Sequence, residues 1–371
     1  MKNNWKIKKL GEVCDIKTGK KDVNQGNLNG KYPFFTCARE HTYSDEYSFD
    51  MEAILVAGNG DVGHVSYYKG KFEAYQRTYV LFNFKDISVP FLLHFLEGML
   101  KDTVSKQKLG NTMPYIKMGM LENFEIPLPS SQEQKRIVKV LDEVFDKVEK
   151  SKKNAKKNLQ NAKEIFESYL QSVFSNEKWE EDNLSDVCDV EYGYTEKARC
   201  KGDYRFVRIT DTDKNGLLTQ EKKMYINSFK ESNKYILKDG DLLMARTGAS
   251  AGNVLLFKGE EKAVFASYLI RMKFKKEISS KLYWYFSKSR LYWDQVSQLS
   301  AGSAQPQFNG GALKQIVFKF PKSITEQKSI VAKLDALSAE TKKLETIYNH
   351  KLANLEEFKK SILQKAFEGK L

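Results

Sequence analysis

The chain is poor in the residues that usually carry cross-links, metals or covalent chemistry. Its four cysteines (Cys14, Cys37, Cys188, Cys200) form no CxxC pair. No secretory hydrophobic segment opens the sequence, so disulfides are not expected and a reducing, cytoplasmic setting is. The four histidines (His41, His64, His94, His350) share no ligand-type spacing with Cys or carboxylates, which argues against a metal site. There is no GxxxxGK[ST] phosphate loop, and the seven isolated prolines form no Asn-Pro-Pro or Asp-Pro-Pro tetrapeptide of the adenine-methyltransferase kind. No apolar run approaches the roughly 18 residues that span a bilayer. Asp, Glu and Lys are abundant, but no nuclease-like cluster of them stands out.

One motif could mislead. Gly58-Asn59-Gly60-Asp61-Val62-Gly63 is a literal GxGxxG. Dinucleotide binding needs a helix to open behind it, so that backbone N–H groups meet the phosphates. The next residues are instead His64-Val65-Ser66-Tyr67-Tyr68, an alternating strand pattern. A strand-to-strand turn is therefore expected, and no catalytic residue.

What the chain does contain is duplication. Trp5, Leu10, Val13, Cys14, Asp15 and Gly19 recur 174 positions later as Trp179, Leu184, Val187, Cys188, Asp189 and Gly193. Gly110, Pro114 and Leu121 recur after 192 positions as Gly302, Pro306 and Leu313, and Gln134, Ile137, Leu141 and Asp142 after 193 as Gln327, Ile330, Leu334 and Asp335. A period this long is no solenoid unit. It describes two copies of a domain-plus-helix module, in keeping with a 371-residue chain too long for one core.

The predicted organisation is an α/β (α+β) tandem repeat. A globular domain spans 1–130, a long helix 131–175, a second globular domain 176–323 and a second long helix 324–371. Strands are predicted at 53–57, 65–68, 79–84, 206–209, 242–245 and 269–274, and helical stretches at 91–104 and 280–299. Strands at 124–129 and 316–321 close each domain, and Ser131-Gln132-Glu133 and Ser323-Ile324-Thr325-Glu326 read as helix starts. An apolar stripe stepping by three and four runs from Ile137, Leu141 and Val144 to Ile165, Tyr169 and Val173. It recurs 193 positions on, from Ile330, Leu334 and Leu337 to Phe358, Ile362 and Ala366. Such a stripe is a coiled-coil seam, and chain direction makes an antiparallel pair the simplest way to cover both. Lys147, Lys150, Lys152, Lys153, Lys156 and Lys157 are expected on the outer face.

An excess of 61 Lys+Arg over 48 Asp+Glu, a net +13, favours a polyanionic partner. Two loop positions recur as candidate DNA contacts. The glycine turn offers Asn59 in copy one and Arg246, Thr247 and Ser250 in copy two. The loop around the repeated proline offers Lys106, Lys108, Asn111, Thr112, Tyr115 and Lys117, then Ser303, Gln305 and Gln307. Lys20, Lys21, Lys197 and Arg199 are candidates to hold phosphates. Framework glycines and apolar positions agree between the copies while these polar residues differ, the pattern expected of two readers of different bases. A non-enzymatic coiled-coil scaffold with two protein-binding domains is the alternative.

The chain resembles the specificity subunits of type I restriction–modification systems. The resemblance rests on the doubled Trp-x4-Leu-x2-Val start, on the doubled Gly-x3-Pro-x6-Leu segment, and on the Pro and Glu-Gln-x2-Ile that open each long helix. The closing Leu363-Gln364-Lys365-Ala366-Phe367-Glu368-Gly369-Lys370-Leu371 adds to it. It implies two target recognition domains, each reading half of a split double-stranded DNA sequence, with the paired helices as spacer. It also implies two DNA-adenine methyltransferase subunits docked on the chain and restriction subunits joining the complex. S-adenosylmethionine, ATP and magnesium would belong to those partners.

Overall fold

The computed structural model describes residues 5–106, 115–213, 215–259, 261–300 and 307–371, with the side chains of 104–106 left out. The fold divides into two compact units, residues 1–156 with 349–371, and residues 157–348. The division falls inside both long helices.

In the first unit, β1 (Lys6–Lys9) leads into the short α1 (Leu10–Val13). Then come β2 (Asp15–Thr18), β3 (Tyr32–Phe35), β4 (Thr42–Ser44), β5 (Phe49–Ala57), β6 (Val65–Ala74), β7 (Thr78–Phe82), α2 (Val89–Lys106), α3 (Met118–Glu122) and β8 (Glu125–Leu128). The long α4 (Ser131–Phe174) follows. Six strands form one sheet in the order β2-β7-β5-β6-β3-β4, and β1 pairs antiparallel with β8.

The second unit repeats this through β9 (Glu180–Asn183), α5 (Leu184–Val187), β10 (Cys188–Tyr192), β11 (Tyr204–Val207), β12 (Tyr225–Ile226) and α6 (Ser232–Tyr235). It continues with β13 (Leu242–Ala245), β14 (Val254–Leu256), β15 (Ala263–Phe265), β16 (Leu269–Phe274), α7 (Ser280–Phe286), α8 (Arg290–Leu299), α9 (Gly310–Lys314), β17 (Val317–Phe320) and α10 (Ile324–Phe367). Its sheets run β10-β16-β13-β14 and β12-β11-β15. The strand order is that of the first unit with one change: the partner of the ten-residue β6 is split into β14 and β15.

The repeated residues have repeated tasks. Gly19 and Gly193 must be glycine, because a Cβ there would lie 1.8 Å from the Ala74 carbonyl oxygen and 2.2 Å from that of Ala266. The amides of Leu10 and Leu184 donate to the carbonyls of Phe124 and Ile316, at 2.8 and 2.9 Å. Cys14 and Cys188 are buried, and desolvation pushes their thiols up to about 12 and about 11, so both act as small apolar side chains.

The repeated Glu-Gln-x2-Ile has an equally specific use. The buried Gln134 Nε2 donates to the carbonyls of Asp86 and Pro129, and its Oε1 accepts from the Ser88 amide at 2.8 Å. Gln327 does the same with Glu277, Pro321 and the Ser279 amide, at 3.1, 2.9 and 2.7 Å. One amide thus ties the strand-to-helix corner to the start of α2 or α7. Leaving those backbone groups unmet in a buried place is costly.

Within each unit the long helices pair antiparallel. In the first, the Lys152 ammonium lies 2.7 Å from the Glu356 carboxylate, and Arg136 donates to the Leu371 carbonyl. In the second, Phe166 and Leu170 line a cleft of about 330 Å³ with Ser338, Thr341 and Lys342. Each core is finished from afar. Leu363, Ala366 and Phe367 enter the first core, Phe367 edge-on to Phe91 and Phe95. The equivalents Leu170 and Phe174 enter the second, Phe174 against Phe286 and Phe318.

Several expectations are corrected. The seam keeps to the predicted residues from Ile137 to Ala162, then shifts by one position. Ile165 and its equivalent Phe358 point outward, 60% and 47% exposed, while Leu170, Phe174, Leu363 and Phe367 are buried. A straight α-helix drifts by about 20° per heptad against a seven-residue stripe. Over the four heptads from Ile137 to Ile165 this nearly equals the roughly 100° between neighbours.

The helix predicted at 280–299 is two helices, α7 and α8. The Ser287 and Ser289 hydroxyls donate to the carbonyls of Trp284 and Phe286, and Ser289 Oγ accepts from the Tyr292 amide to start the second. Ser130, one residue ahead of the predicted stretch, caps α4 by accepting from the Glu133 amide. Lys152 lies in the helix seam between Glu149 and Glu356, not on the outer face, because only there does its ammonium meet both carboxylates. No helix of the described residues is long and apolar enough to cross a membrane.

Gln134→Ala and Gln327→Ala are each expected to cost about 2–4 kcal/mol in chemical denaturation, the cost of buried polar groups left unpaired. A loss below about 1 kcal/mol in both would show that the corner amides are dispensable.

Candidate nucleic-acid interface

The glycine turn links two adjacent strands of each sheet. Between β5 and β6, Gly60 and Gly63 have φ of +63° and +77°; in copy two Gly248 and Gly252 have +74° and +88°. The amides of Gly63 and Gly252 donate back to the carbonyls of Ala57 and Ala245, at 2.9 and 2.8 Å. No helix opens behind Gly63, and only a three-residue 3-10 turn, Gly248–Ser250, lies within the second copy. The turn is a scaffold for side chains and not a phosphate cradle.

In copy one the segment after α2 returns to this turn. The Ile116 amide donates to the Gly58 carbonyl at 2.8 Å, and the Tyr79 hydroxyl donates to the Ile116 carbonyl at 2.7 Å. Asn59, half-buried, thus comes beside Tyr115 and Lys117, whose ammonium lies 5.9 Å from the Tyr115 ring centre. Asp61 binds the Arg39 Nε at 2.9 Å and the Lys101 ammonium at 2.6 Å, and those hydrogen bonds hold its carboxyl down at about 2. The carbonyl of the exposed Arg77 accepts from the Gly58 amide.

Copy two builds the same frame with other side chains. The Phe308 amide donates to the Arg246 carbonyl, and Thr247 bridges to Gln307. The Arg246 amide donates to the Tyr268 carbonyl, as Gly58 does to Arg77. The Arg246 guanidinium carbon lies 5.4 Å from the Tyr192 ring centre and 5.5 Å from that of Tyr268. Tyr192 is itself anchored, its hydroxyl accepting from the Gly310 amide at 3.0 Å. Ser250 sits in the 3-10 turn, its carbonyl accepting from the Asn253 amide.

The other sequence candidates separate into groups. Lys20, Lys197 and Arg199 are exposed. Lys21 faces inward, 3.7 Å from the fully buried Glu73 and 3.1 Å from Glu46, because Glu73 needs a counter-charge. Lys106 ends α2, and Lys108, Asn111, Thr112, Ser303 and Gln305 lie outside the described residues, as do Gly110, Pro114, Gly302 and Pro306. Arg39, Arg77, Lys101, Tyr192 and Tyr268 escaped sequence reasoning. A position-by-position comparison of the copies would have exposed three of them, since Gly58, Arg77 and Thr18 correspond to Arg246, Tyr268 and Tyr192.

The family description "Type I restriction modification DNA specificity domain" matches residues 2–159 and 176–354, most of the chain. The chain belongs to this family. It is a DNA-specificity subunit of a type I restriction–modification complex. Among its relatives, the EcoDI specificity subunit of Escherichia coli is 27% identical, covering 99% of this chain and 89% of that one. The MjaVIII specificity subunit of Methanocaldococcus jannaschii is 24% identical, with 99% and 93% covered. In fold, the chain is similar to a solved structure from work on complex assembly and conformational transition of the type I R-M system. There the TM-score is 0.79, the identity 17%, and 99% and 98% of the two chains are covered. It is also similar to the HsdS subunit of Thermoanaerobacter tengcongensis, with TM-score 0.59, 18% identity and 99% and 97% covered.

The Asp61 cluster gives a pH test of this specificity subunit. Its folded value is depressed, so its stabilisation is present above the ordinary carboxyl value of 3.8 and is lost as pH falls through about 2. Asp61→Asn is expected to cost on the order of 1 kcal/mol at neutral pH, after solvent screening of a partly open cluster, with the difference closing in acid. An equal cost at pH 7 and pH 2 would contradict it.

Proposed function

We propose that each globular domain reads one half of a split DNA target through its glycine turn and the segment that returns to it. The observation carrying this is the contrast between the turns: one hydrogen-bonded frame, built twice, holds Gly58, Arg77 and Thr18 in one copy and Arg246, Tyr268 and Tyr192 in the other. Two copies reading the same bases would have no need to differ there. The exposed Lys20, Lys197 and Arg199, with the +13 charge, supply phosphate contacts. Affinity should therefore fall steeply and log-linearly with salt.

In this reading the paired helices set the length of the non-contacted spacer. The chain performs no catalysis itself. Two DNA-adenine methyltransferase subunits dock on it, restriction subunits join to form the cutting complex, and S-adenosylmethionine, ATP and magnesium act in those partners. Extrusion of the target adenine falls to the methyltransferase.

The test is mapping of methylated adenines by the assembled complex. The native chain should give a two-part target. Inserting four residues in both helices at the level of the Lys152–Glu356 pair lengthens them by about 6 Å. The spacer should grow by one or two base pairs with both half-sites unchanged. An unchanged spacer would sink the ruler role, and an unchanged target after exchange of both globular domains would sink the recognition role.

A further inference from the structure

We propose that Arg246 reads a guanine in the half-site bound by the second domain, and that the first domain has no counterpart to this contact. The proposal rests on the two-part recognition above and names the base one residue takes.

Arg246 is fixed at its root. Its amide and carbonyl are both engaged, with Tyr268 and Phe308, at the end of a buried strand. Its guanidinium lies between the Tyr192 and Tyr268 rings, which are 44% and 55% exposed. Cation–π contact with both rings restricts where the guanidinium sits. The Nε is buried without an acceptor among the described residues, which leaves the terminal nitrogens as the donors a ligand would meet.

Three other arginines of this unit differ. Arg205, Arg208 and Arg271 are held by Glu261, Asp211 and Glu191. Arg246 has no such carboxylate among the described residues. Among the described residues, it is held in place by two rings and not by a carboxylate.

A planar fork held in place suits an acceptor that offers two lone pairs in one plane. In the major groove only guanine does so, through O6 and N7; adenine pairs an acceptor with a donor, thymine offers one acceptor and a methyl, and cytosine a donor. A phosphate can also take an arginine fork on two oxygens, but it carries no base identity, so the response to base substitution separates the two.

The first domain cannot reproduce the contact. Arg246 corresponds to Gly58, where a Cβ would lie 2.5 Å from the Arg77 carbonyl oxygen and 2.8 Å from the Tyr79 ring. That ring is locked by its hydroxyl on the Ile116 carbonyl. The guanine requirement should therefore appear at one position of one half-site.

The experiment uses the assembled methylating complex with native, Arg246→Ala and Arg246→Lys chains. Methylation is measured on the mapped target, on variants at each half-site position, and on a duplex with 7-deazaguanine at the implicated position. The native chain should lose roughly 5- to 150-fold on replacing the guanine, and most of that on removing N7 alone. Both variants should show little preference there, with the other half-site and the spacer intact. Arg246→Lys keeps the charge but not the planar fork, so a loss shared with Arg246→Ala points to the fork and not to charge alone. If both variants keep the native base preference, or weaken all sequences uniformly with a shallower salt dependence, Arg246 holds a phosphate and the guanine assignment is overturned. A native complex whose target is not in two parts would instead remove the reading on which the assignment rests.

Discussion

Each globular core of this subunit is incomplete until the far end of a long helix enters it. Phe367, Leu363 and Ala366 close the first, and Phe174 and Leu170 close the second, with aromatic edges meeting at 4.9–5.5 Å in both places. The hydrophobic effect therefore couples helix pairing to domain folding. An unpaired helix end would leave a large apolar face in water and a void in a close-packed interior. The buried Gln134 and Gln327 then fix the angle at which each helix leaves its domain, because three backbone groups converge on one side-chain amide. Everything else in the chain is arranged on this frame.

Within it, conformational demands and recognition demands are kept apart. Gly19 and Gly193, where no Cβ fits, and Gly60 and Gly248, where φ is positive, keep glycine in both copies. Positions that face outward from the same turns do not agree. Gly58 against Arg246 shows how far this goes: one copy closes the position with the Tyr79 ring, the other opens it to a guanidinium in cation–π contact with two tyrosines. In the proposed reading, affinity and specificity rest on different residues, exposed lysines and Arg199 for the phosphate backbone and a few held side chains for base edges.

Much of this architecture was legible beforehand, for a physical reason. A duplicated chain prints its constraints twice, so Trp-x4-Leu-x2-Val, the paired cysteines and Glu-Gln-x2-Ile stood out without an alignment. Strands 242–245 and 269–274 were placed to the residue because burial on both faces leaves nearly continuous apolar runs. The break at Ser287 to Ser289 was hidden, since two serines continue an apolar periodicity that their hydroxyls in fact interrupt. Lys21 and Lys152 look like solvated cations in sequence; their carboxylate partners, Glu73 and Glu356, are distant along the chain. The placement of Arg246 between two rings was out of reach for the same reason, as Tyr192 ends β10 and Tyr268 lies in the turn before β16.

The sequence by itself determined the twofold module, several of its strands, the basic character and the long helices with most of their apolar stripe, because periodicity, glycine and proline act locally and recur. Tertiary structure alone decided which helix end completes which core, where the seam rotates past Ile165 and Phe358, and which cations are neutralised and which are held ready. Those outcomes depend on groups far apart in the chain meeting in a dry or half-dry place, where desolvation and geometry outweigh local preference.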